Sequence, residues 1–83
     1  MLKNKYFKTT NLNLSVYLYA QDQQIVGISP ISKDQKEFSF LKTPYLEELE
    51  WLYKFGDKND ERLFVSVHKL ERARKELLDR LLN

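Results

Sequence analysis

The clearest pattern of apolar and polar positions lies in the last third of the chain. Spacings of three and four residues between apolar positions are typical of an amphipathic helix. Ser66 is a suitable N-cap, because its hydroxyl can accept a hydrogen bond from the first turn. The pattern therefore predicts a helix after Ser66, with charged residues opposite its apolar face. The residues of that face are Val67, Leu70, Ala73, Leu77, Leu78 and Leu81.

A second amphipathic helix is predicted between Thr43 and Gly56. Thr43 is a favourable N-cap, and Pro44 suits the first helical position, where its missing N–H costs nothing. Gly56 is a natural C-terminal stop. Trp51 lies outside the apolar stripe, among charged residues. The stripe consists of Tyr45, Leu46, Leu49, Leu52 and Tyr53.

Three segments have the composition of β-strands, at residues 5–9, 24–29 and 36–41. The second and third are predicted to form a hairpin with a loop of about four residues. Pro30 cannot donate to a strand ladder, so the second strand should end there or lie at a sheet edge. Residues 62–65 either form a short fourth strand or belong to a helix that starts near Asp60.

The secondary structure of residues 12–20 is ambiguous between a strand and a helix. Their apolar positions alternate strictly with polar or aromatic ones, which indicates a strand. Thr10 or Asn11 would nevertheless cap a helix well, and a helix buried on most sides would also be rich in apolar residues. The residues themselves leave both structures open.

The length and composition of the chain indicate a single domain. The chain has 83 residues, 42% of them hydrophobic and 13% aromatic, and no cysteine. This length supports one hydrophobic core. No apolar run approaches the roughly 18–20 residues that span a bilayer, and no apolar region follows the N-terminal lysines as in a signal peptide. We therefore expect a cytoplasmic protein.

Several short motifs together resemble a family of small phage- and bacterium-encoded domains of unknown function. They are TNLNLSVYL at residues 10–18, VGI at 26–28, FSF at 38–40, YKFG at 53–56, and a basic final helix with Ala73, Lys75 and Leu77. The resemblance implies that residues 12–21 form a helix, but it implies no activity. Two residues depart from the family pattern: Asp22 replaces a helix-ending glycine, and Arg74 an apolar residue.

With that helix, the predicted fold is α+β, in the order β-α-β-β-α-(β)-α. A small antiparallel sheet of three or four strands would carry the helices on one face. If the fourth strand forms, the fold is a ferredoxin-like variant with an added C-terminal helix. The handedness of the crossover then places strand three between strands one and two.

The sequence gives little support for catalysis or metal binding. It contains one histidine and no cysteine, so it lacks the ligand set of a zinc site. Ser66 is better explained as a helix cap than as a nucleophile next to His68. The glutamates of the second helix form a solvated face, and the two glycines do not make a phosphate-binding loop. We expect no enzyme, no cofactor and no small-molecule substrate.

The strand KEFSF at residues 36–40 faintly resembles the aromatic strand on which RNA-recognition domains stack bases. Stacking would require Phe38 and Phe40 to lie on an open sheet face. Period-two alternation places both rings on one face, and one face must form the core. We expect both rings to be buried.

The leading functional hypothesis is a small accessory or interaction module that binds another protein or itself. Its candidate contacts are Trp51 and Arg74, although each also has a simpler structural explanation: Trp51 covered by a loop, Arg74 extending to solvent over its stem. The alternative is a nucleic-acid-binding protein that uses basic residues at both ends of the chain. Those residues are Lys3, Lys5, Lys8, Lys69, Arg72, Lys75 and Arg80.

Overall fold

Three strands form one antiparallel sheet, and three helices complete the fold in the order β-α-β-β-α-α. The computed structural model describes residues 5–82. The predicted α+β class is confirmed. The elements are β1 (Tyr6–Thr9), α1 (Leu12–Ala20), β2 (Ile25–Ser32), β3 (Gln35–Leu41), α2 (Pro44–Phe55), a 3₁₀ turn (Glu61–Leu63) and α3 (Val67–Leu82).

The strand order β1-β3-β2 places β3 in the middle, as predicted. β2 lies at an edge, so it continues through Pro30, whose missing N–H is tolerated there. The β2–β3 turn is shorter than the predicted loop of about four residues. Ser32 and Gln35 still pair with each other, which leaves only Lys33 and Asp34 in the turn.

Sheet register fixes which side chains form the core. Phe7 pairs with Phe40, and Ile28 pairs with Phe38, so these rings and side chains share one face. Phe38 and Phe40 are 2% and 0% exposed. The expectation of buried rings is confirmed, and base stacking on these two residues is excluded.

Residues 12–20 form helix α1, and the strand alternative is wrong. Asn11 caps the helix: its Oδ1 accepts from the Leu14 N–H at 3.0 Å. The hydroxyl of the buried Ser15 donates to the Asn11 carbonyl at 2.9 Å. Six of the nine residues of α1 are buried, so the helix has almost no solvent-exposed side and no helical amphipathic pattern.

Two clusters of buried side chains meet at α1. The first joins Leu14, Tyr17 and Leu18 to Phe38 and Phe40 of the sheet and to Leu46 and Leu49 of α2. The second joins Val16 and Ala20 to Ala73 and Leu77 of α3. Helix α1 therefore lies between the sheet, α2 and α3, and each of them depends on it.

The predicted fourth strand at residues 62–65 is absent, and the last α-helix starts at Val67 and not near Asp60. Asp60 instead caps the 3₁₀ turn, its Oδ1 accepting from the Arg62 N–H at 2.9 Å. The Arg62 carbonyl accepts from the Tyr17 hydroxyl at 2.8 Å and from Gln21 Nε2 at 2.9 Å. These bonds tie the segment to α1, so the described residues form three strands and not the four of a ferredoxin-like sheet.

Both predicted caps of the amphipathic helices are confirmed. Thr43 Oγ1 accepts from the Leu46 N–H at 3.0 Å, and Ser66 Oγ accepts from the Lys69 N–H at 3.1 Å. The outer members of each stripe remain exposed, since a small sheet cannot cover a full helix face. The exposed members are Tyr45, Tyr53, Val67 and Leu78.

Gly56 ends α2 because the backbone approaches it closely, not because it needs a left-handed conformation. Its φ is −72°, but a Cβ would lie 2.6 Å from the Leu52 carbonyl oxygen. We expect Gly56→Ala to destabilise the fold by about 1–3 kcal/mol through overpacking. Gly27→Ala is the matched control: a Cβ there meets nothing within 4 Å, so it should stabilise β2 by about 0.5 kcal/mol. Urea unfolding of both variants measures this; equal stabilities would contradict it.

Asp22 ends α1 in a left-handed conformation, with φ 65°. Its N–H donates to the Tyr19 carbonyl, and the Gln23 N–H donates to the Leu18 carbonyl at 3.1 Å. This is the Schellman arrangement, in which glycine is favoured at the left-handed position. We expect Asp22→Gly to raise the free energy of unfolding by about 1 kcal/mol, measured by urea unfolding.

The control for this substitution is Lys69→Ala. It removes the exposed Lys69–Asp22 ion pair, whose N–O distance is 3.5 Å, and leaves the backbone of residue 22 unchanged. Exposed pairs contribute little, so this variant should stay within about 0.5 kcal/mol of the parent. A loss of stability in Asp22→Gly would show that the aspartate is required for another reason.

Candidate functional site

An apolar groove of about 430 Å³ lies between α1, α3 and the segment that joins α2 to α3. Val16 and Tyr17 of α1 are buried beneath it, and Phe64 at its rim is 66% exposed. An exposed ring beside an apolar depression provides a ready surface for contact. The lining residues are Asn13, Val16, Tyr17, Tyr53, Lys58, Leu63, Phe64, Val65, Leu70 and Arg74.

The wall of the groove at residues 57–65 is held to α1 and α2 by polar contacts. Besides the bonds to its carbonyl, Arg62 pairs through its guanidinium with Asp60 at 2.9 Å and with Glu48 of α2. The neighbouring guanidinium lowers the pKa of the Asp60 carboxyl. The segment is therefore a positioned part of the fold, although it has no regular structure apart from the 3₁₀ turn.

Tyr17 joins the core to the groove. Its ring contacts that of Tyr53, with the ring centroids 5.5 Å apart, and its hydroxyl donates to the Arg62 carbonyl. Burial raises the pKa of the Tyr17 hydroxyl, because the charged form would lose its hydration. This neutral hydroxyl therefore fixes the groove wall at ordinary pH.

The groove carries two positive charges that no neighbouring carboxylate neutralises. Its lining includes Lys58 and Arg74 and no acidic residue. Neither makes an ion pair with another side chain of residues 5–82, whereas Lys42, Lys54, Arg62 and Lys69 do. The site is apolar and cationic.

The two predicted partner contacts lie on different surfaces. Arg74 is exposed and lines the groove. Trp51 is 57% exposed and lies on the side of α2 that faces away from its buried leucines, against Phe55. The alternative that a loop covers Trp51 is therefore wrong, and the two residues do not form one site.

The predicted nucleic-acid contacts do not form one basic surface. Lys8 pairs in register with Ser39, on the sheet face opposite Phe38 and Phe40 and therefore away from the helices. Lys5 is exposed just before β1, and Lys3 lies outside the described residues.

On α3, several of the predicted basic contacts have acidic or aromatic neighbours. Lys69 pairs with Asp22, and Arg72 lines a shallow pocket that also contains Glu76. The Arg80 guanidinium lies 5.7 Å from the centre of the Tyr19 ring. Lys75 is exposed. Nucleic-acid binding stays a prediction, now with its residues divided between two faces of the molecule.

Lys58 and Phe64 are groove residues that sequence reasoning missed. Lys58 lies in an acidic stretch, where it resembles a solvated surface residue. Phe64 belongs to residues 62–65, for which the sequence leaves a strand and a helix both open. One signal was available: Phe64 is a large apolar residue outside both helical stripes, as is Phe55.

The structure also bears on three other kinds of site: a metal centre, Ser66 as a nucleophile, and a membrane-spanning helix. In the part of the chain that the structure describes, no three His, Cys, Asp or Glu side chains are grouped to hold a metal ion. Ser66 Oγ is used in the cap of α3, beside an exposed His68. Within residues 5–82, none of the helices has the length and apolarity needed to cross a bilayer.

We expect Tyr17→Phe to cost about 0.5–1.5 kcal/mol of stability, because it removes one partly buried hydrogen bond. Gln21 still donates to the Arg62 carbonyl in this variant, so the loss of stability should be about 0.5 kcal/mol. Tyr53→Phe is the control, since its hydroxyl makes no hydrogen bond with the described residues. Urea unfolding measures both variants, and an equal loss in the two would contradict the assigned role.

The raised pKa of Tyr17 predicts that its contribution to folding stability depends on pH. The pKa of Tyr17 is raised above 10.0 in the folded protein, so its stabilising effect is complete below pH 10 and is lost as the pH rises through the folded value. The stability difference between the parent and Tyr17→Phe should therefore shrink above pH 10. A difference that stays constant up to pH 12 would contradict this.

Comparisons of this chain with protein families, with curated proteins and with solved structures find no match. The resemblance to phage- and bacterium-encoded domains therefore stays a prediction. A function for this chain has to be argued from the geometry of its groove.

Proposed function

We propose that this chain is a non-enzymatic interaction module that binds another protein or a second copy of itself through the apolar groove. The observation that carries the proposal is the pairing of exposed apolar side chains with the two unneutralised cations Lys58 and Arg74. An origin in a phage or a bacterium and a cytoplasmic location belong to the same proposal. They rest on the sequence resemblance and on composition.

Energetics favour contact at this surface. Covering exposed apolar area stabilises a complex by roughly 25 cal/mol per Å², and aromatic rings contribute large areas. Arginine and aromatic residues are enriched in protein interfaces and dominate their binding energy. Because the groove wall is already fixed through Arg62, binding there would lose little conformational entropy.

A photo-crosslinking amino acid at position 64 tests the proposal in cells that naturally encode the chain. We expect covalent adducts with a specific protein, or with a second copy, because this position lies at the groove rim. Position 75 is the control, since Lys75 is exposed and lies outside the groove. Adducts to nucleic acid at position 75, with none at position 64, would support the alternative function instead.

Arg74→Ala should lower the yield of adducts from position 64 by about tenfold, the loss expected for an arginine that contributes strongly to an interface. Arg72→Ala is its matched control. Arg72 is also an exposed arginine of α3, but it lines the shallow pocket on the other flank of the helix. Equal yields from the two variants would show that the groove is not the contact surface.

A further inference from the structure

The outer side of α2 carries two large aromatic residues that the fold leaves uncovered. Trp51 and Phe55 lie one helical turn apart and are 57% and 68% exposed. Their ring centroids are 6.1 Å apart, so the two rings form one raised feature, here named the aromatic ridge. In one common mode of recognition, a helix inserts large apolar residues at positions i and i+4 into an apolar groove of its partner.

Acidic side chains flank the aromatic ridge. Glu47 and Glu48 lie three or four residues before Trp51, which places them on the same side of the helix. Helix α2 has three glutamates and one lysine, whereas α3 has five Lys or Arg residues against three Asp or Glu residues. Carboxylates therefore flank the ridge, each paired with a cation of its own chain, whereas the groove is apolar and cationic.

Both glutamates already contact a cation, but each carboxylate can still accept further hydrogen bonds. Glu47 Oε1 lies 3.3 Å from Lys42 Nζ, and Glu48 contacts Arg62. Their side chains are still about half exposed. A carboxylate can accept roughly four hydrogen bonds, so each can also bind a cation from another molecule.

We propose that the groove of one copy receives the aromatic ridge of a second copy. This inference rests on the proposed function, and it names the partner: the outer side of α2, with Trp51 and Phe55 against the apolar lining and the glutamates near Lys58 and Arg74. Because the ridge and the groove are different surfaces, each bound copy keeps one free ridge or groove. Such head-to-tail contacts produce rings or chains and not only closed dimers.

Two variants of the full chain test this arrangement. The ridge variant carries Trp51→Ala and Phe55→Ala, and the groove variant carries Phe64→Ala and Arg74→Glu. All four residues are exposed, so both variants should fold, and circular dichroism checks this. Arg72→Glu is the control for the added negative charge.

Light scattering after size-exclusion chromatography should show that the mass of the parent rises with concentration beyond that of a dimer. Each variant alone should remain a monomer. An equimolar mixture should form a one-to-one dimer, because only one intact ridge and one intact groove are left. The Arg72→Glu control should associate like the parent.

A parent that is monomeric at several hundred micromolar would overturn the inference. So would two monomeric variants whose mixture fails to associate, because that result indicates a symmetric contact. The proposed function is tested separately: crosslinks from position 64 to a different protein would support it while excluding a second copy as the partner. An absence of every adduct from that position would overturn both.

Discussion

Burial of α1 on nearly every side is the constraint on which the rest of the structure depends. The sheet, α2 and α3 each share a buried apolar cluster with this helix. Tyr17 of this helix and Gln21 just after it also donate hydrogen bonds to the Arg62 carbonyl in the groove wall. The groove wall is therefore positioned by the element that organises the core.

Sequence predicts the elements whose determinants are local. Helices α2 and α3 have a cap residue at the first turn, an apolar stripe and a polar face, and each of these signals involves residues close in the chain. Helix α1 lacks such a stripe because it is buried on nearly every side, and its alternating pattern resembles a strand. The family resemblance, and not the residue pattern, gave the correct prediction.

The segment at residues 57–65 could not be predicted, because long-range contacts determine it. Arg62 to Val65 have the composition of a strand, but the Arg62 carbonyl bonds to a hydroxyl 45 positions earlier in the chain. Local propensity cannot include that contact. One wall of the groove is formed by this segment, which is why the apolar stripe of α3 singled out Arg74 whereas no local pattern singled out Lys58 or Phe64.

The position of Pro30 has a consequence for behaviour at high concentration. The outer edge of β2 is interrupted by a residue without an N–H, and the register shifts twice, between Ile25 and Gly27 and between Pro30 and Ser32. The opposite edge strand, β1, has only four residues. Irregular or very short edges are poor templates for adding another strand. Aggregation by edge-to-edge growth of sheets is therefore disfavoured, and a concentrated solution of this chain is protected against seeding cross-β deposits from either edge.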